Sequence, residues 1–187
     1  MRTAPALLIV LAATLALVGC VPDDDPIVLD PDPSVSPIFE SDEEALAAAE
    51  AAYAEYLEIS DQVLNDGGKN PERLLAVVSE ELYQQAAEGF ESMESGGLHG
   101  VGLTRYDSAV LQSYFADALP GEQIIAIYVC VDLSGLDVVD ANGTSVVSPA
   151  RIERSPYVVG FASVDFDDPS LLVSSDEPWD GEDFCVV

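Results

Sequence analysis

The sequence predicts an α+β domain, with N-terminal helices packed on one face of a curved antiparallel β-sheet. Three observations carry that prediction. Apolar residues recur at helical spacing between residues 41 and 95, strand-like runs follow from about residue 101, and glycine pairs close the helical segments. Helices grouped ahead of strands are the α+β order, whereas alternating strand–helix units would imply a parallel sheet.

The first helix opens at Ser41-Asp42-Glu43-Glu44, a capping box in which the serine and the glutamate three residues on satisfy amides at the helix start. It runs to about Asn65. Leu46, Ala49, Tyr53, Tyr56, Leu57, Ser60, Val63 and Leu64 fall on one stripe, with Glu50, Glu55, Glu58 and Asp61 mostly elsewhere. Asp66-Gly67-Gly68 ends it, since glycine accepts the left-handed C-terminal conformation. Asn70 is expected to cap a second helix that has Pro71 at its first position and turns Leu74, Leu75 and Val78 inward. Ser79-Glu80-Glu81 starts a third, carrying Leu82, Ala86, Phe90 and Met93, and Gly96-Gly97 stops it.

Strands are predicted over about 101–116, 123–134, 156–166 and 170–176. Ile124 to Val131 is apolar on both faces, which suits a central strand covered on each side. Asp140-Ala141-Asn142-Gly143 and Asp167-Asp168-Pro169-Ser170 are turn signals, and Phe184 to Val187 is expected to add to an edge.

The residues before the helices point to a place of work. Arg2 supplies a positive start and Ala6 to Gly19 an apolar run of about 14 residues, the length of a signal-peptide core and short of the roughly 20 that span a bilayer. The run ends in Leu17-Val18-Gly19-Cys20, which resembles a bacterial lipobox. There the cysteine thiol takes a diacylglycerol and becomes the new N-terminus. Residues 1–19 thus read as a lipoprotein signal peptide and Cys20 as the lipidation site, with two acyl chains making a lasting tether. Residues 20–40, acidic and broken by prolines at 22, 26, 31, 33 and 37, read as a spacer. At about 3.1 Å per residue they would reach up to about 60 Å from the membrane. Residues 41–187 form the domain.

The chain of 187 residues carries 35 acidic and 6 basic residues, a net charge of −29, and loses one positive charge more with Arg2. Nucleic-acid binding rests on phosphate neutralisation by Lys and Arg, so that function is excluded. With Cys20 lipidated, Cys130 and Cys185 remain, and outside the cytoplasm they are expected to form a disulfide; two buried free thiols are the alternative. Neither has a histidine neighbour, which argues against a catalytic thiol.

Chemistry is otherwise sparse. His99 is the single histidine, with no Gly-x-Ser-x-Gly to partner it, and the Cys and His ligands of a zinc site are missing. Asp165, Asp167 and Asp168 are the weak candidates for a cation, but the EF-hand glycine and distal glutamate are absent, and a solvated turn is the favoured reading. Gly96, Gly97, Gly100 and Gly102 lack phosphate-loop spacing and fit a helix stop and close backbone packing. No cofactor is implied.

The helix–strand order resembles the NTF2-like, or cystatin-like cone, superfamily. The likeness to small extracytoplasmic lipoproteins of actinobacteria lies at Leu98-His99-Gly100-Val101-Gly102, Tyr106-Asp107-Ser108, Val129-Cys130-Val131-Asp132, and Leu171 to Ser175 followed by Trp179 and Phe184-Cys185. It covers residues 41–187 and contains no catalytic motif. It implies a cone fold at the outer face of the cell membrane. The function expected of such an anchored domain is a non-enzymatic module binding an envelope protein, a polymer or a small ligand. Some cone-fold members are isomerases or cyclases that use a pocket Asp and Tyr, and here Tyr53, Tyr56, Tyr83, Tyr114, Tyr128 and Asp132 are the residues that could supply them. A deep cavity holding such a pair would favour the enzyme; low-affinity divalent-cation binding is the third reading.

Overall fold

The computed structural model describes residues 37–165 and 168–186. Cys20, the segment 1–19 and most of the expected spacer lie outside the described residues, as does Asp167. Helices α1 (Asp42–Asn65) and α2 (Glu80–Gly96) precede strands β1 (His99–Gly102), β2 (Arg105–Tyr114), β3 (Gln123–Asp132), β4 (Leu136–Val139), β5 (Arg154–Asp165) and β6 (Asp168–Pro178). The fold is α+β. β2-β3-β5-β6 make an open antiparallel sheet in that order, and β1 and β4 pair as a separate ribbon.

The helix starts arise from local chemistry. Ser41 Oγ accepts from the Glu44 amide at 3.2 Å, while Glu44 reaches back to the amide of Glu40 at 2.8 Å, one residue earlier than the usual box. Ser79 caps α2 in the same way through the Leu82 amide. Asn70 does not cap: it sits in the left-handed region at φ 52° and makes no side-chain cap bond. Beyond it the chain forms a single 3₁₀ segment, Pro71–Ala76, too short to need a capped α start, and Leu75 is left 42% exposed rather than inward.

α1 lies against the sheet, where its Ala45, Ala49, Tyr53 and Leu57 share one buried cluster with Ile125, Ile127, Val129 and Val131 of β3, Val159 and Phe161 of β5 and Val173 of β6. Since side chains alternate along a strand, Ala126, Tyr128 and Cys130 point to the opposite face. The run from Ile124 to Val131 is buried on both faces apart from half-buried Tyr128, as a central strand should be. The cover on the second face is the C-terminal tail, not an added strand: Trp179 and Phe184 pack on Tyr128, and Cys185 is bonded to Cys130. Phe184 to Val186 do not extend an edge.

Three further boundaries move. The expected strand 101–116 divides at Leu103-Thr104, because Gly102 takes φ 105° where a Cβ would run into the carbonyl of Gly135. Asp140 holds the predicted turn by accepting from the amides of Asn142 and Thr144, yet the hairpin it closes is one bridge wide, Val139 to Ser145. The folded part also begins before Ser41, since Phe39 is 3% exposed and its carbonyl accepts from Tyr114 Oη at 3.0 Å. Among the described residues no helix is long and apolar enough to cross a membrane.

Candidate functional site

Two places combine chemistry with unusual burial, one on each face of the sheet. The first is Asp176, an acid on the helix-facing side of β6. Simple alternation from buried Val173 would turn Asp176 outward. A register shift between Gly160 and Phe161 opposite β6 reverses this: Val173 pairs Phe161, Ser175 pairs Gly160, and Asp176 pairs Val159, a core residue. Asp176 thereby meets α1, where Tyr53 Oη donates to its Oδ1 at 3.4 Å.

Burial pushes the Asp176 carboxyl up to about 6, although the hydroxyls of Tyr56 and Tyr53 favour its charged form and hold it down. Burial, followed by the negative charge of Asp176, raises Tyr53, Tyr56 and Tyr157 above the ordinary phenol value. Tyr53 and Tyr56 therefore stay as neutral donors to one acid, with Tyr157 as a neutral neighbour. Tyr53 is fully buried, stacked on Tyr56 with centroids 5.8 Å apart and meeting Tyr106 edge-on at 5.0 Å. Among the described residues, five surface clefts have linings that include none of Asp176, Tyr53, Tyr56 or Tyr157.

Of the residues expected to furnish a cone pocket, only Tyr53 and Tyr56 come together on an acid. Asp132 instead caps a turn by accepting from the Ser134 amide at 2.8 Å, and the Ser134 hydroxyl and amide hold it below the usual carboxylate range. Tyr114 anchors Phe39, Tyr83 packs at the core margin, and Tyr128 lies on the other sheet face. His99 begins β1 opposite Val139, in a cleft with Asn65, Lys69 and Glu94. Asp165 and Asp168 pair across the β5–β6 hairpin, and Asp168 accepts from the Ser170 amide at 2.9 Å. Among the described residues no three His, Cys, Asp or Glu side chains gather as a metal site.

The second place is the disulfide-held tail. The Cys130–Cys185 bond is formed, with Cα atoms 5.6 Å apart. Arg154 Nη1 donates to the carbonyl of Cys185, and its Nη2 pairs with Asp107 at 2.6 Å. The Trp179 amide donates to the carbonyl of Pro156 at 2.9 Å. Between these fixed points Tyr128, Trp179, Glu182, Asp183 and Phe184 line a cleft of about 310 Å³. A larger one, about 500 Å³, lies beside Arg151, whose Nη2 donates to the carbonyls of Leu133 and Leu136 while its buried Nε has no hydrogen-bond partner.

The fold and these two places define an α+β domain of helices on an open sheet, its outer face plugged by a disulfide-held tail. No family model matches the sequence, and no curated protein is similar to it. The intermembrane space region of the chloroplast protein ARC6 has a similar solved structure, at 11% identity and a TM-score of 0.49, covering 72% of this chain and 97% of that one. A likeness of that degree carries no argument about function.

Proposed function

We propose that this chain is a lipid-anchored, non-enzymatic binding domain of the outer face of the cytoplasmic membrane, held by Cys20 and an acidic, proline-rich spacer. The observation that carries the reading is the Cys130–Cys185 disulfide. Such bonds persist outside the cytoplasm and are rare within it. Two of the three cysteines are thereby accounted for as structural, and the third is the one in the lipobox-like segment. The layers, with α1 across one face of an antiparallel sheet, are in keeping with the NTF2-like resemblance, and the net charge of −29 suits a solvated envelope domain. Intact-mass measurement of the protein from membranes tests it: residues 1–19 should be absent and Cys20 should carry a diacylglyceryl group. An unmodified chain starting at Met1 sinks the proposal.

A second reading has one specific observation in its favour. Asp176 within reach of Tyr53, poised at about 6, has the make-up of a general acid–base pair for an isomerase or cyclase. Against it, Tyr53 is fully buried and lines none of the five clefts described above. Detection of a small molecule whose binding perturbs Asp176 and is lost in Asp176→Asn would favour the enzyme.

A further inference from the structure

We propose that the cleft formed by Tyr128, Trp179 and Phe184, with Glu182 and Asp183 in its lining, binds an alkylammonium group. The ring geometry is the first ground. Trp179 stands at 63° to Tyr128 with centroids 5.0 Å apart, and Phe184 at 64° with centroids 5.8 Å apart. Both rings rise steeply from the third, so the three bound a corner instead of stacking into a closed layer. Ring faces attract cations through the aromatic quadrupole, the indole most strongly, and assemblies of such rings are the usual receptors for ammonium groups.

Charge is the second ground. The lining holds two exposed carboxylates and neither Lys, Arg nor His; Asp183 Oδ1 accepts from the Cys185 amide at 2.9 Å, which fixes its place at the cleft, and no cationic side chain of the lining opposes either charge. The chain's charge of −29 further raises the local concentration of cations. An anion or a phosphate would be repelled on both counts.

Rigidity is the third. Phe184 is 42% exposed, although it directly precedes a cysteine that is 5% exposed and bonded to the central strand. A tail serving only as a plug would bury that ring. Instead the disulfide, the Arg154 contact to Cys185 and the Trp179 amide bond fix the backbone that carries the rings before any ligand arrives, which lowers the ordering cost of binding. The volume of about 310 Å³ is at the small end of ligand sites and suits a small headgroup.

This inference deepens the binding-domain reading and rests on it for biological setting, but its test is independent of the lipid. Trp179 is the single tryptophan, so its emission reports the cleft directly. The full chain in non-ionic detergent is titrated with choline, with n-butylammonium, and with 3,3-dimethylbutan-1-ol, the uncharged isostere of choline. Saturable emission changes are expected with a cation and about tenfold weaker binding of the isostere. The tighter cation tells whether a quaternary headgroup or a primary, lysine-like amine is the natural source. Glu182→Gln, at an exposed position, should weaken cation binding about threefold and leave the isostere unaffected. An isostere matching the cations, an unchanged cation affinity in Glu182→Gln, or no saturable change with either cation up to about 100 mM overturns the proposal. A failure here with a diacylglyceryl adduct present in the mass measurement rejects the ligand and leaves the anchor standing.

Discussion

Asp176 of β6 faces Tyr53 of α1, whose hydroxyl donates to Oδ1 at 3.4 Å, and it does so only because the β5–β6 register slips by one residue beforehand. A carboxyl raised from 3.8 to about 6 by burial binds its proton more tightly in the folded state. Its contribution to stability is therefore greatest below about pH 4 and is lost as pH rises through 6. The limit is about 3 kcal/mol. Asp176→Asn keeps an acceptor for Tyr53 and removes the charge. We expect the variant to be about 1–2 kcal/mol more stable than the wild type at pH 7, with the difference vanishing near pH 4, by urea denaturation at each pH. A variant less stable at pH 7 would mean that the tyrosine hydrogen bonds outweigh the burial of the charge.

The bridge between Cys130 and Cys185 closes a loop of 55 residues. Constraint of the unfolded chain over that length is worth about 4 kcal/mol. Cys185→Ser should lower stability by up to that amount and red-shift Trp179 emission as the tail leaves Tyr128. Both sulfurs belong to buried residues, so alkylation of the native, unreduced protein should miss them. Quantitative labelling of Cys130 and Cys185 without reductant would refute the bond.

The features legible in the sequence were those that local chemistry decides. Ser41 and Ser79 cap helices because a short hydroxyl side chain reaches the third amide on, and the two-faced apolarity of β3 requires cover on both sides. The cover itself was not legible. Phe184 to Val186 has the composition of an edge strand, and only the pairing of Cys185 with Cys130 draws it across the face instead. β4 is four residues long and was hidden among turn signals, since its pairing with β1 is non-local. Asp176 was missed for a sharper reason. Alternation is the signal for strand faces, and a single bulge inverts it, so the acid that reaches the core reads in sequence as a solvent residue, while Asp132 reads as the pocket acid.

Asp61 is a helix residue that holds a strand start. It is 3% exposed, and its two oxygens accept from the Thr104 amide and the Thr104 hydroxyl, each at 2.8 Å, just ahead of β2. Burial raises its carboxyl, and the Thr104 bonds oppose that rise. Asp61→Ala leaves both donors without their charged partner and should cost about 2–3 kcal/mol. Chemical denaturation checks it, and a loss below about 0.5 kcal/mol would mean that water replaces the carboxylate at no cost.

Gly181 separates the stability of the tail from the shape of its cleft. A Cβ at this position would run into the indole of Trp179, so the ring lies directly over the backbone there. The obstacle is a half-buried side chain and not backbone, so the ring can turn aside while the chain keeps its path. Gly181→Ala should therefore cost no more than about 1.5 kcal/mol by chemical denaturation, the worth of the one aromatic pair it breaks. The indole must nonetheless rotate away, breaking its 5.0 Å packing on Tyr128. Trp179 emission in Gly181→Ala should shift to the red with the disulfide intact. An unshifted spectrum would mean that the indole is held by Tyr128 alone and that the chain at Gly181 yields to it.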